Sequence, residues 1–417
     1  MPPPLPASPA PGPRWDLFCR VIDNHGDLGV CWRLATRLAA LGAQVRLWVD
    51  DARALAWMAP GGCPGVRVLP WREPQAAEAP GEVVVEAFGC DPPAGFVAAM
   101  AARLAAAGQH APGAVPARAA DAGTDPLPSK PAPLWLNLEY LSAETYVERS
   151  HGLRSPQASG PGAGLDKWFF YPGFTPATGG LMRGPLPADP GTGFDPAAVR
   201  AEASDGAARP GVPAISLFGY PQAALPAQLA AWAGGPQPLD LLLTPGHATE
   251  QAAAWLGRPL APGEAVDRGA LRLIALPWLS QAGFDRLLAA CALNLVRGED
   301  SLARALWAGQ PMLWQLYPQD EDAHAVKLQA FLDRVLLPGA TPQLAQALRA
   351  AFARWNGLAD PAVPALLGLG PGEPGHAAWA AQAEALRARL QARVDTDGDL
   401  AQTLWRAAHG PAGQALG

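Results

Sequence analysis

Charge is scarce in this chain. Of 417 residues only 16% are Asp, Glu, Lys or Arg, with 31 basic against 37 acidic side chains and a net charge of −6. No Lys/Arg run exists to follow a phosphate backbone or an anionic lipid surface, so neither nucleic acid nor membrane is expected as a direct partner. Long apolar runs are missing as well: no segment approaches the ~18 to 20 uncharged apolar residues that cross a bilayer. The opening MPPPLPASPAPGPR has no charged leader followed by an apolar stretch, so neither a signal peptide nor a transit helix is expected, and the cytoplasm is the default location. Cys19, Cys31, Cys63, Cys90 and Cys291 are odd in number and contain no CxxC pair. They read as reduced, mostly buried thiols, not as a disulfide or zinc framework.

Proline and glycine, by contrast, are abundant. There are 47 and 45 of them, a proline share about twice the usual ~5%. The excess is clustered in residues 1–13, 105–133, 154–164 and 184–213. These stretches carry too little apolar bulk to offset the entropy of ordering them, which reads as a tail and loop insertions.

Between them, apolar runs alternate with helical patterns. Residues 15–22 read as a strand; Val30, Leu34, Leu38 and Leu41 fall on one helical face; residues 44–49 read as a second strand, completing a βαβ unit. Further strands are expected at 66–69, 83–88 and 134–138, then at 214–220, 239–243, 271–275, 293–296 and 312–315, in the short, continuous style of a buried parallel sheet. At about 100 to 200 residues per domain, the expectation is two facing α/β domains. The first spans 14–183, with a low-complexity insertion at 105–133. A linker follows at 184–213, the second domain at 214–376, and a helical segment at 377–417 that packs back on the first.

Chemistry concentrates at two strand-to-helix turns, where ligands bind in open α/β sheets. The first is VIDNHGDLG, residues 21–29. It is not GxGxxG, and Asp23 and Asp27 would repel a pyrophosphate held against them. Two acids four residues apart suit a substrate with hydrogen-bond donors, to be oriented or deprotonated, and Gly26 lets the backbone bend so that both face one cleft. The plain alternative is that Asp27 caps the coming helix. Capping needs one acid, however, and leaves Asp23, Asn24 and two glycines unexplained. His25 is either catalytic or a tolerated loop residue.

The second turn is LNLVRGEDS, residues 293–301. Ser301 and the amides before it, at a helix start, form an anion site to which Arg297 adds a fixed positive charge. Diphosphate suits it, with Glu299 and Asp300 placed to accept hydrogen bonds from sugar or ribose hydroxyls; an N-capped helix with a surface Arg/Glu pair is the alternative. Upstream, Trp278 and Phe284 offer faces on which a base stacks and Gln281 an amide that reads it, unless the rings are simply core. Downstream, Asp320, Asp322 and His324 are oxygen-rich but lack a recognised ligand spacing, so no metal site is expected.

These motifs together, WDLFCRVIDNHGDLGVCWRLATRLAALGAQVRLWVDD, LFGY, LPWLSQAGFDRLL and VRGEDSLARALWAGQPMLWQLYPQDEDAH, resemble the bacterial protein-arginine rhamnosyltransferase family that matures elongation factor P. The resemblance runs over about residues 14 to 410. It implies a GT-B fold of two Rossmann-like domains around an interdomain cleft, and an inverting enzyme that uses TDP-β-L-rhamnose as donor, without metal or other cofactor. The acceptor it implies is one arginine of elongation factor P, which is thereby activated to rescue ribosomes stalled at polyproline. Position by position, it makes Asp23, Asp27 and Glu299 catalytic, with Asp27 the candidate base. Asn24, Gly26, Tyr220, Trp278, Gln281, Phe284, Arg297, Asp300 and Ser301 become donor-binding. The family often carries a large aromatic ring where this chain has His25, and Phe where it has Trp278. Two rivals stay open at this point: a GT-B enzyme with another acceptor or nucleotide sugar, and a non-catalytic two-lobed binding protein. Paired acids opposite an anion site argue against the latter.

Overall fold

The computed structural model describes residues 12–22, 25–71, 79–108, 133–183, 193–317 and 323–410. The expectations for residues 1–11, 23–24, 109–132, 184–192, 318–322 and 411–417 lie outside them, Asp23, Asn24, Asp320 and Asp322 included.

Thirteen strands make two sheets among the described residues. The first holds β1 (Arg14–Cys19), β2 (Gln44–Val49), β3 (Val66–Pro70), β4 (Val83–Ala87), β5 (Leu134–Leu138), β6 (Arg154–Pro156) and β7 (Asp166–Phe170) in the order β3-β2-β1-β4-β5-β7-β6. All neighbours run parallel except β6 against β7. The second holds β8 (Ala214–Leu217), β9 (Leu239–Leu243), β10 (Ala265–Arg268), β11 (Leu271–Ala275), β12 (Leu293–Arg297) and β13 (Met312–Gln315) in the order β10-β11-β9-β8-β12-β13. Only β10 is antiparallel.

The helices are α1 (Gly26–Ala40), α2 (Leu55–Met58), α3 (Ala94–Gly108), α4 (Tyr146–Ser150), α5 (Pro196–Ala203), α6 (Leu225–Ala233), α7 (His247–Leu256), α8 (Gln281–Ala290), α9 (Gly298–Ala308), α10 (Ala323–Phe331), α11 (Pro342–Trp355), α12 (His376–Asp397) and α13 (Leu400–His409). No helix among the described residues is long and apolar enough to cross a membrane.

Both faces of each sheet are covered, and the strands alternate accordingly. In β1, Trp15, Leu17 and Cys19 pack with Leu28, Leu34 and Leu38 of α1, while Phe18 points to the other face against Phe96 and Met100 of α3. Asp16, on that second face, is fully buried but satisfied by the Arg46 guanidinium at 2.6 and 2.7 Å, the Trp48 indole at 2.8 Å and the Gly81 amide at 2.7 Å. All five cysteines are unpaired, and four are buried.

Three strands escape the sequence reading. β6 and β10 are short edge strands of charged or polar pattern, and β7 opens on Asp166 and Lys167. Each pairs with a neighbour that a local pattern does not reveal. Inside the stretch read as linker, α5 forms because Asp195 caps it, accepting from the Ala197 amide at 2.9 Å, with Pro196 at the first helical position.

The C-terminal segment spans the molecule. Trp379, Leu386 and Leu390 of α12 belong to the core of the second sheet, whereas Leu400, Ala401 and Leu404 of α13 belong to that of the first. Trp405 stacks on Trp15 at 6.1 Å. A capping box of Asp399 and Gln402 starts α13, and Asp399 also accepts from Arg37 of α1 at 2.8 Å.

Candidate active site

The cleft between the sheets is built from the starts of α1 and α9, each following a central strand. α1 starts after the N-cap His25, which makes no side-chain capping bond. Asp27 therefore lies inside the first turn and is not the cap that the plain alternative made it. Its carboxylate is buried, with Oδ2 accepting the Ile22 N–H at 3.1 Å, at the positive end of the helix dipole.

At the second turn Arg297 is the N-cap, in extended backbone, and Gly298 has φ +64°, a conformation that favours glycine. The helix thus starts at Gly298, three residues ahead of the start expected at Ser301. This corrects the expected role of the Ser301 hydroxyl, not that of the amides before it. The Ser301 hydroxyl donates to the Arg297 carbonyl and accepts from the Arg297 amide at 3.2 Å, so it secures the turn, and the amides that open the helix belong to residues 298–300. The Arg297 guanidinium lies between two rings, 4.5 Å from the centre of Phe218 and 4.4 Å from that of Tyr220. Tyr220 is fixed in turn through its amide, which donates to Gln315 at 2.9 Å.

Two cavities meet here. The smaller, about 110 Å³, is lined by Arg33, Trp278, Gln281, Phe284, Arg297 and Asp300, among others, and by Ser301. The larger, about 380 Å³, is lined by Asp27, Tyr140, Tyr220, His324 and Lys327. Gly26, Gly298 and Glu299 line both. Each expected site residue within the described set thus reaches this pair of cavities, with Asp27 and Tyr220 in the larger one.

Several of these side chains are engaged across the cleft. Gln281 donates from Nε2 to the Gly29 carbonyl at 3.0 Å, and Asp300 pairs with Arg33 at 2.8 Å. A Cβ on Gly29 would stand 3.3 Å from both the Asp300 carboxylate and the Gln281 amide, so glycine is what lets α1 approach so closely. Glu299 accepts the Leu141 amide at 2.6 Å and pairs with Lys327 at 2.7 Å. Its oxygens keep further lone pairs for a ligand hydroxyl. Trp278 is 52% exposed and lies 4.5 Å from Trp57, with His25 edge-on to both rings. Phe284 meets Phe218 edge to face at 5.6 Å.

Arg33 and Trp57 were not among the expected site residues. A second arginine four positions on, Arg37, was the one local signal, since two cations on one face of a helix otherwise apolar at 30, 34 and 38 call for partners.

Two α/β units with a nucleotide-sized cleft at the carboxyl ends of their strands define a GT-B glycosyltransferase. A UDP-glucosyltransferase from Polygonum tinctorium shares this fold at 10% identity, with a TM-score of 0.51 over 96% of this chain and 98% of that one. The chain belongs to the family described as elongation-factor P (EF-P) rhamnosyltransferase EarP, whose profile matches residues 15–408. It is similar to the protein-arginine rhamnosyltransferase of Pseudomonas putida, 46% identical over 332 residues, or 76% of this chain and 80% of the relative. It is also similar to a solved structure described as the structural basis for EarP-mediated arginine glycosylation of translation elongation factor EF-P. That structure is 30% identical, with a TM-score of 0.61, covering 94% of this chain and 98% of that one.

Proposed function

We propose that this chain transfers L-rhamnose from TDP-β-L-rhamnose to an arginine side chain of elongation factor P, inverting the anomeric centre. The observation that carries the reading is the meeting of an aromatic, arginine-bearing cavity with an acid-lined one at Gly26, Gly298 and Glu299, in a chain of this family. Residues 214–376 form the donor side and 14–183 the acceptor side, with α12 packed on the former and α13 closing back on the latter. The thymine stacks against Trp278 or Phe284 and is read by Gln281. The diphosphate faces Arg297 and the amides that open α9, with Ser301 holding that turn, while Tyr220, Glu299 and Asp300 surround the sugar.

The acceptor sets the chemical constraint. A guanidinium keeps its proton to a pKa above 12, and a carboxylate is ordinarily near 4. The gap of about 8 units is about 11 kcal/mol for a completed transfer before attack. Asp27, with Asp23, therefore clamps the guanidinium and localises its charge away from the attacking nitrogen. As the N–C1 bond forms and the C1–O bond to TDP breaks, the nitrogen's pKa falls and its proton passes to Asp27. Arg297 and the α9 start take up the charge arriving on the diphosphate. Modification of a translation factor places the enzyme in the cytoplasm.

Intact-mass measurement of elongation factor P after incubation with this protein and TDP-L-rhamnose tests the reading. One added deoxyhexose, mapped to an arginine, is expected. An unchanged mass with a competent acceptor refutes it.

A further inference from the structure

Gly29, Arg33 and Arg37 lie four residues apart along one face of α1, and all three reach across to elements far away in sequence. Gly29 offers its carbonyl to Gln281, the first residue of α8. Arg37 pairs with Asp399, the cap of α13. Between them, Arg33 donates through both terminal nitrogens to Asp285 of α8, at 2.7 and 2.8 Å, and through Nε to Asp300 of α9. Arg33 and Asp285 are both buried, with side chains 6% and 8% exposed. Burial opposes the Arg33 charge, yet Asp300 and Asp285 together outweigh it and raise the pKa of the guanidinium. The ion remains charged with all three of its nitrogens engaged.

From this arrangement we infer that Arg33 is a positioning residue for the transfer reaction: through the fork it makes with Asp285 and Asp300, it fixes Asp300 in the donor cavity. The inference rests on the rhamnosyltransferase reading of the cleft. The fork geometry matters here. One guanidinium satisfies carboxylates on two different helices, and an ammonium at the same position is a point charge that cannot hold both in plane. Losing Arg33 frees Asp300 to turn within the cavity and releases α1 from α8 and α9. Donor binding then suffers before acceptor binding does, because both carboxylates belong to the donor half.

The test compares wild type with Arg33→Lys, measuring thermal melting, TDP affinity by calorimetry, and KM for each substrate. Arg33→Lys keeps the charge, and the expected result is a folded protein whose TDP Kd and donor KM rise about 10-fold, the loss of one charge-assisted hydrogen bond, with acceptor KM unchanged. Should the lysine variant fail to fold, Asp285→Asn is read in the same way, since it loosens the fork while leaving the Asp300 contact. A folded variant with TDP Kd and donor KM within twofold of wild type, or one that raises acceptor KM alone, overturns the assignment. Absence of transfer by the wild type refutes the rhamnosyltransferase reading separately, because TDP affinity still reports on Arg33.

Discussion

Replacing Asp27 with Asn removes a charge and a proton acceptor while preserving shape, and its effects on fold and on reaction differ in size. The side chain is 5% exposed, and the bond it accepts from the Ile22 amide at 3.1 Å needs only an oxygen, which Asn retains. The fold loses the attraction between a carboxylate and the positive start of α1, about 0.3–1 kcal/mol. Melting should therefore fall by no more than about 2–4 °C. The reaction loses its base, a contribution of about 10²–10⁴-fold, or about 2.7–5.4 kcal/mol of barrier. The expected variant is thus folded, binds TDP within a factor of about 3 of wild type, and glycosylates elongation factor P at least ~100-fold more slowly. Time courses by intact mass, at saturating donor and with calorimetry on the same preparation, measure all three. Wild-type turnover by a donor-competent Asp27→Asn protein would falsify the proton-acceptor role.

Three further outcomes follow from named contacts. Trp278→Ala removes a ring that is 52% exposed and outside the core, so the melting point should hold. TDP affinity should drop by the ~1–3 kcal/mol of a stacked base, and an unchanged Kd would exclude Trp278 as the stacking platform. His151 accepts the Tyr171 amide at Nδ1, 3.1 Å away, and burial pushes its pKa down to about 4. Above pH 6.5 the ring is neutral in both states. Between 6.5 and about 4 only the unfolded chain takes the proton, so stability falls as pH drops, by on the order of 3 kcal/mol. Urea titrations across that window should show a slope that His151→Gln flattens, and an NMR-measured pKa above 6 would contradict it. Leu404→Ala should cost about 2–5 kcal/mol in denaturant unfolding, because Leu404 is fully buried in the core of the first sheet. A loss under about 0.5 kcal/mol, the range of surface substitutions, would mean that α13 adds nothing to that core.

Legibility in the sequence followed locality. The βαβ start, the central strands of both sheets and both strand-to-helix turns could be read because parallel strands buried on two faces are continuous apolar runs. β2, β5, β9, β11 and β13 fall at 44–49, 134–138, 239–243, 271–275 and 312–315, the ranges the pattern gives. The antiparallel edge strands β6 and β10 were not legible, since they owe their conformation to a neighbour, whereas the parallel edge strands β3 and β13 were. The site divides in the same way. Asp27, Glu299 and Arg297 belong to compact motifs, whereas Arg33 is defined by Asp285 and Asp300, 252 and 267 residues away. The start of α9 was misplaced by about a turn: at Ser301 a residue favoured for capping stands at the fourth helical position, while the cap itself is Arg297.

The path of α12 and α13 has a mechanical consequence. The chain passes between the two sheets twice, once between β7 and α5 and again where α12 gives way to α13 at Gly398. A pair of bodies joined by one tether can bend in two directions and twist. Joined by two, they keep a single soft degree of freedom, rotation about the line through both tethers, as a door on two hinges does. Any relative motion of the two units is therefore confined to one arc about that line, on which the Gln281–Gly29 and Arg33–Asp285 contacts lie in register.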